Sequence, residues 1–166
     1  MRPFALLAAP AVLVMAACAA PAAAPARTPA RPASAAPASG PAAIQRLADA
    51  VNDHRRRIGC PPLAWLPAAA QAAQAHSDDM ARRNYFDHVS PDGRGVVQRL
   101  QEAGVHIQRV AENIALTQGG PDDALRLWLG SPGHRENLEN CAYTHHGLGE
   151  RNVRLTHDFV TPAPAR

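Results

Sequence analysis

The 166-residue chain contains no lysine, so all 17 basic side chains are arginine. Aromatic residues make up only 4% of it, and much of its 46% hydrophobic content is alanine. Arg2, Arg27, Arg31 and Arg166 lie outside the region that reads as folded, roughly 43–161. That region keeps 13 arginines against all 14 acids, a net charge of −1, although the whole chain carries +3. A near-neutral domain lacks the electrostatic footprint of a DNA or RNA binder, so no nucleic-acid partner is expected. The basic character belongs to the N-terminal segments.

Long hydrophobic runs are missing as well. Phe4–Met15 is apolar but interrupted by Pro10, about the length of a signal-peptide core and too short to span a bilayer. With Arg2 before it and Ala16, Ala17 and Cys18 after it, residues 1–18 read as a lipoprotein-type signal peptide. Cysteine after two small residues resembles a bacterial lipobox, with Met15 where leucine is usual. Cys18 is then expected to carry a lipid anchor, and the mature protein to be exported to the cell envelope or secreted. Residues 19–42 hold 12 alanines and 6 prolines, without an acid or an aromatic. A segment with nothing large to bury cannot offset the entropy of ordering, so it reads as an extended tether ahead of a domain at 43–162.

Within the domain, Ile44, Leu47, Ala48, Val51 and Ile58 fall on helical spacing and predict a helix over 42–58 ending at Gly59. Pro67 opens a second helix over 67–84, with Ala69, Ala70, Ala73 and Met80 inward. Ser90-Pro91-Asp92-Gly93 has the residues of a type I turn, and a short helix follows over 94–103. Residues 110–116 fit either a strand or a helix start. Helices follow from Pro121 through Trp128 and from Pro132, with Ser131 as N-cap. Residues 145–150 and 154–160 read as strands. Helices first and strands last point to a layered α+β domain.

Short motifs with known chemistry are scarce. There is no H-E-x-x-H, no paired C-x-x-C, no G-x-S-x-G and no glycine-rich phosphate loop. Once Cys18 is assigned to the leader, Cys60 and Cys141 remain, most simply a disulfide in an exported domain. Among eight histidines, His54 reads as solvated among arginines, and His76 as part of a helix-face salt bridge. His88 sits where a helix hands over to a loop. His134 lies in the first turn of a capped helix, whose positive end favours a neutral imidazole. Glu112 lies in an apolar stretch, where a carboxylate needs a partner.

VNDHRRRIGCPPLAW, AQAHSDDMARRNYFDHVSPDG, AENIA, LWLGSPGHRENL and YTHHGLG together resemble the bacterial branch of the CAP superfamily, the SCP-like extracellular proteins. These are relatives of the cysteine-rich secretory, antigen 5 and pathogenesis-related 1 proteins. The resemblance covers about 45–160 and implies an α-β-α sandwich with a central antiparallel sheet between helical layers. It also implies a cleft holding His88, Glu112 and His134. In two places the chain departs from the family pattern. Ala111 replaces the glycine usual before the glutamate, and Ser131 stands where many relatives supply an acid after the tryptophan. Two imidazoles and one carboxylate remain, a set that could hold a divalent metal such as zinc on His88, His134 and Glu112 with one position open. The leading expectation is a binding module engaging a lipid, peptide or envelope component. The alternatives are a zinc-assisted hydrolase or peptidase in the same cleft, with Glu112 as ligand or base, and a structural envelope protein whose histidines are merely packed.

Overall fold

The computed structural model describes residues 40–164. The expected leader, Cys18 and nearly all of the tether therefore lie outside the described residues. Five helices and four strands follow in the order α1 (Pro41–Arg57), β1 (Ala64–Trp65), α2 (Pro67–Arg83), α3 (Val96–Glu102), β2 (Ile107–Leu116), α4 (Gly120–Gly130), α5 (Pro132–Glu139), β3 (His145–Arg151) and β4 (Arg154–Pro162). Residues 110–116 are strand, as part of β2. The helix expected from residue 42 begins at Pro41, behind Gly40, whose N–H lies 3.4 Å from Glu150 Oε2. Ile58 follows the last turn of α1 and is exposed, so it does not continue the apolar face.

The sheet runs β1-β3-β4-β2. β2, β4 and β3 pair antiparallel, while the two-residue β1 joins β3 in parallel, which makes the sheet mixed rather than wholly antiparallel. Side chains alternate across it. One face packs Leu148, Leu155, Phe159 and Ala115 against Leu47 and Val51 of α1, Trp128 of α4 and Leu138 of α5. The other face carries Val160 to Ala69 and Ala72 of α2 and Leu100 of α3. The result is an α-β-α sandwich.

Alanine in α2 and glycine in β3 are two sides of one contact. A Cβ on Gly147 would stand 2.1 Å from the backbone nitrogen of Ala70, and one on Gly149 would stand 2.3 Å from that of Gln74. The helix backbone therefore rests directly on the strand, a distance that only glycine permits. Asn84, at φ 51°, ends α2 in the left-handed conformation, its N–H donating to Met80 O.

Cys60 and Cys141 form a disulfide across 81 residues. Closing a loop of that length restricts the unfolded chain by roughly 4 kcal/mol in the chain-entropy model. Beside it lies Arg55, fully buried. Its guanidinium donates to the carbonyls of Pro61 (3.0 Å), Leu138 (2.8 Å), Asn140 (3.0 Å) and Tyr143 (3.2 Å). His54, expected in solvent, instead meets Glu139 at 3.0 Å with its side chain 15% exposed.

Candidate functional site

The end of α2 delivers His88 to the sheet. The turn expected at 90–93 forms, with Gly93 N donating to Ser90 O at 2.7 Å. Arg99 of α3 holds this loop from below. Its Nη1 donates to the carbonyls of His88 (3.1 Å) and Arg94 (2.9 Å). Glu112 reaches the same place from β2. Its Oε1 lies 2.7 Å from His88 Nδ1, and its Oε2 accepts from Arg99 Nη2 at 2.6 Å. Side-chain exposure is 2% for Glu112, 5% for Arg99 and 51% for His88. The carboxylate is thus the sealed floor of the site and the imidazole its exposed wall.

The charges follow from these contacts. Burial works to raise the Glu112 pKa, but the His88 hydrogen bond and the nearby Arg99 and His76 outweigh it and hold the carboxyl below its ordinary value. His88 moves the other way: its bond to Glu112 raises its pKa, with burial opposing. Since the carboxylate can only accept, His88 Nδ1 carries the proton in this bond.

His134 enters from α5. Its backbone carbonyl accepts from Asn113 Nδ2 at 2.9 Å, and Asn137 Nδ2 donates to Asn113 Oδ1 at 2.8 Å, which ties the first turn of α5 to β2. Burial first, then the positive charge on His88, lower its pKa. The two imidazoles are therefore pushed in opposite directions. Ser131 precedes Pro132 at the N-cap position, but its hydroxyl makes no capping hydrogen bond; its carbonyl accepts from Arg135 N at 2.8 Å instead. His88 and Glu112 are directly joined, whereas His134 forms no side-chain hydrogen bond with either.

Glu112 offers no unpaired oxygen to a metal ion. Among the described residues, no three His, Cys, Asp or Glu side chains group so as to hold a metal ion. One oxygen of Glu112 faces the protonated nitrogen of His88 and the other a buried guanidinium. A divalent cation there would displace the first and be repelled by the second.

Three further residues shape the site although the sequence did not assign them to it. Arg99 reads as one more polar position of a short helix, yet it is buried. Asp158 lies opposite Glu112 on β4 and is completely buried, with neither carboxyl oxygen hydrogen-bonded. Burial, and then the negative Glu112, push its pKa well above the ordinary carboxylate range. An acid in the middle of the strand expected at 154–160 was the available signal. His76 takes no part in the helix-face salt bridge expected of it. It is buried with Nε2 3.0 Å from Asp87 O, because its position on α2 faces the loop rather than solvent. His76 and Arg99 also line a neighbouring cavity of about 290 Å³ with Asp79, Ser90, Arg94 and Glu102, which His88 and Glu112 do not line.

Comparison with known proteins places this geometry in context. The signature of the cysteine-rich secretory protein family, CAP, matches residues 48–150. Two Bacillus subtilis (strain 168) proteins are similar over most of the chain. The uncharacterized membrane protein YlbC is 37% identical over 116 residues, 70% of this chain and 34% of the relative. The uncharacterized protein YkwD is 32% identical over 118 residues, 70% of this chain and 46% of the relative. The chain thus spans between a third and a half of these relatives. Among solved structures, an extracellular protein containing an SCP domain from Bacillus anthracis superposes with a TM-score of 0.70 at 37% identity, covering 74% of this chain and 45% of that one. An outer surface protein of Borrelia burgdorferi shares the fold at a TM-score of 0.67 and 16% identity, covering 74% of this chain and 94% of that one.

Proposed function

The chain belongs to the cysteine-rich secretory protein (CAP) family, and from that premise we propose that it is an exported binding module whose cleft at His88, Glu112 and His134 captures a lipid, peptide or envelope component. The state of Glu112 carries this reading. A general base or metal ligand needs a free oxygen directed at substrate, and both oxygens of Glu112 are held by His88 and Arg99. An ion pair sealed on one side and open at a half-exposed imidazole suits recognition. The zinc-assisted hydrolase would require Arg99 to leave Oε2, a step for which the buried guanidinium has no alternative carboxylate partner among the hydrogen bonds it makes.

Export is supported by the leader-like residues 1–18 and by the extracellular protein from Bacillus anthracis at 37% identity. No helix among the described residues is long and apolar enough to cross a membrane. Membrane attachment in this reading runs through a lipid on Cys18, which follows Ala16 and Ala17 as in a lipobox. A Cys18→Ser variant then leaves the membrane fraction with its domain folded, and a wild-type protein found wholly soluble with an unmodified N-terminus would refute the anchor. The binding reading is tested by NMR titration of the purified protein with fatty-acid, peptide and glycan panels. It expects saturable capture without chemical change, lost in the His88→Ala/His134→Ala double variant. Turnover that depends on Glu112 would overturn it in favour of the hydrolase.

A further inference from the structure

Arg99 is absent from every motif that pointed to the cleft, yet it touches both of the residues joined there. One guanidinium nitrogen bonds Glu112 Oε2, and another bonds the carbonyl of His88 itself. The same group therefore neutralises the floor of the site and positions the loop bearing its exposed wall. Its side chain is 5% exposed and also anchored to Arg94 O, so it cannot swing into solvent without abandoning three hydrogen bonds.

We infer that Arg99 is a specificity-determining residue that occupies the place of a cation beside Glu112, so that the cleft selects ligands bringing no positive charge. Without Arg99, Glu112 would keep a free oxygen beside the His88 imidazole, an oxygen–nitrogen pair that zinc engages. With Arg99 in place, the carboxylate is already matched by a fixed positive charge at 2.6 Å, and an arriving cation meets repulsion at short range in a poorly solvated setting. Arginine serves here better than lysine would. Its planar fork reaches a carboxylate oxygen and two carbonyls at once, and its charge is not lost by deprotonation. What remains open to a ligand is the outer edge of His88, together with His134, so recognition passes through imidazole nitrogens rather than through the carboxylate.

The inference rests on the cleft being the ligand site, but a zinc titration reads Arg99 directly and stands whether or not a ligand is captured. The experiment follows the imidazole NMR signals of the oxidised, full-length protein as zinc ion is added at neutral pH. Wild type is expected to bind zinc only weakly, through its exposed imidazoles. Arg99→Gln, which keeps hydrogen-bonding capacity and removes the charge, gains zinc affinity by about tenfold or more, equivalent to about 1.4 kcal/mol. Arg99→Lys, which retains a cation, gains none, and adding Glu112→Gln to Arg99→Gln abolishes the gain. Tight stoichiometric zinc binding by wild type, or a folded Arg99→Gln protein with unchanged affinity, would overturn the inference. Should Arg99→Gln not fold, Glu112→Gln alone decides. Its weak zinc response stays within about twofold of wild type if Glu112 is already closed to cations, and a tenfold drop refutes that closure.

Discussion

Acid should destabilise this domain through a pair of buried histidines that the cleft does not use. His146 on β3 and His157 on β4 sit inside the core face, 1% and 0% exposed, with His146 Nδ1 3.1 Å from His157 Nε2. Their rings stack among Trp65, Trp128 and Phe159. One ring donates to the other, and burial favours the neutral form of both. Burial, then Arg55 and His145, lower the His146 pKa to about 4 from its ordinary 6.5. Above pH 6.5 the folded and unfolded chains bind the same number of protons at this site, and it contributes no pH dependence. As pH falls from 6.5 toward 4, the unfolded chain takes up a proton that the folded one refuses, and stability drops. At about 1.36 kcal/mol per pH unit, the interval from 6.5 to about 4 amounts to about 3.4 kcal/mol. His157, fully buried and also pushed well below its ordinary value, adds a contribution of the same sign. Other groups titrate in this window, the raised Asp158 with the opposite sign. The measurement is therefore a difference between wild type and His146→Gln, which keeps a polar group facing His157. Urea unfolding followed by circular dichroism from pH 7.5 to 4 should show wild type losing up to about 3.4 kcal/mol more than the variant. Parallel stability profiles would refute the reasoning, since they would mean that His146 is protonated in the fold as readily as outside it.

Other perturbations probe separate parts of the structure. Gly147→Ala should cost at least about 2 kcal/mol in chemical unfolding, because the new methyl would meet the α2 backbone rather than a movable side chain. Arg55→Met strands four carbonyls that the guanidinium now satisfies, and a loss of about 3 kcal/mol is expected even with the disulfide intact. Glu112→Gln should bring the His88 pKa down toward its ordinary 6.5 in an NMR titration, since the carboxylate is the largest cause of its elevation. By linkage, the stabilisation from that pair is fully present below pH 6.5 and fades as pH rises through the raised value in the fold. A wild-type His88 that titrates as the variant does would show that the 2.7 Å contact is not maintained in solution.

Much of this was legible before any coordinates. Helical spacing in 42–58 and 67–84, proline at helix starts and two late strands were enough for a layered α+β domain, because these signals are local and lie in the chain itself. The pairing of His88 with Glu112 was foreseeable for a different reason. A glutamate in an apolar stretch must find a partner, and the motifs resembling the CAP superfamily put it in one cleft with His88 and His134. Local pattern could not separate a solvated arginine from a buried one. Arg55 and Arg99 look like any other arginine on a helix, and each became structural only when distant carbonyls or a carboxylate closed around it. Nor could it decide what Glu112 is able to do. The family resemblance made it a candidate zinc ligand, but the availability of its oxygens depends on α3, β2 and the loop after α2 meeting at one point. Electrostatic work is set by through-space distance, and the residues that supply it here, Arg99 on Glu112 and Asp158 across the sheet from it, are 13 and 46 positions away in the chain but adjacent in the fold.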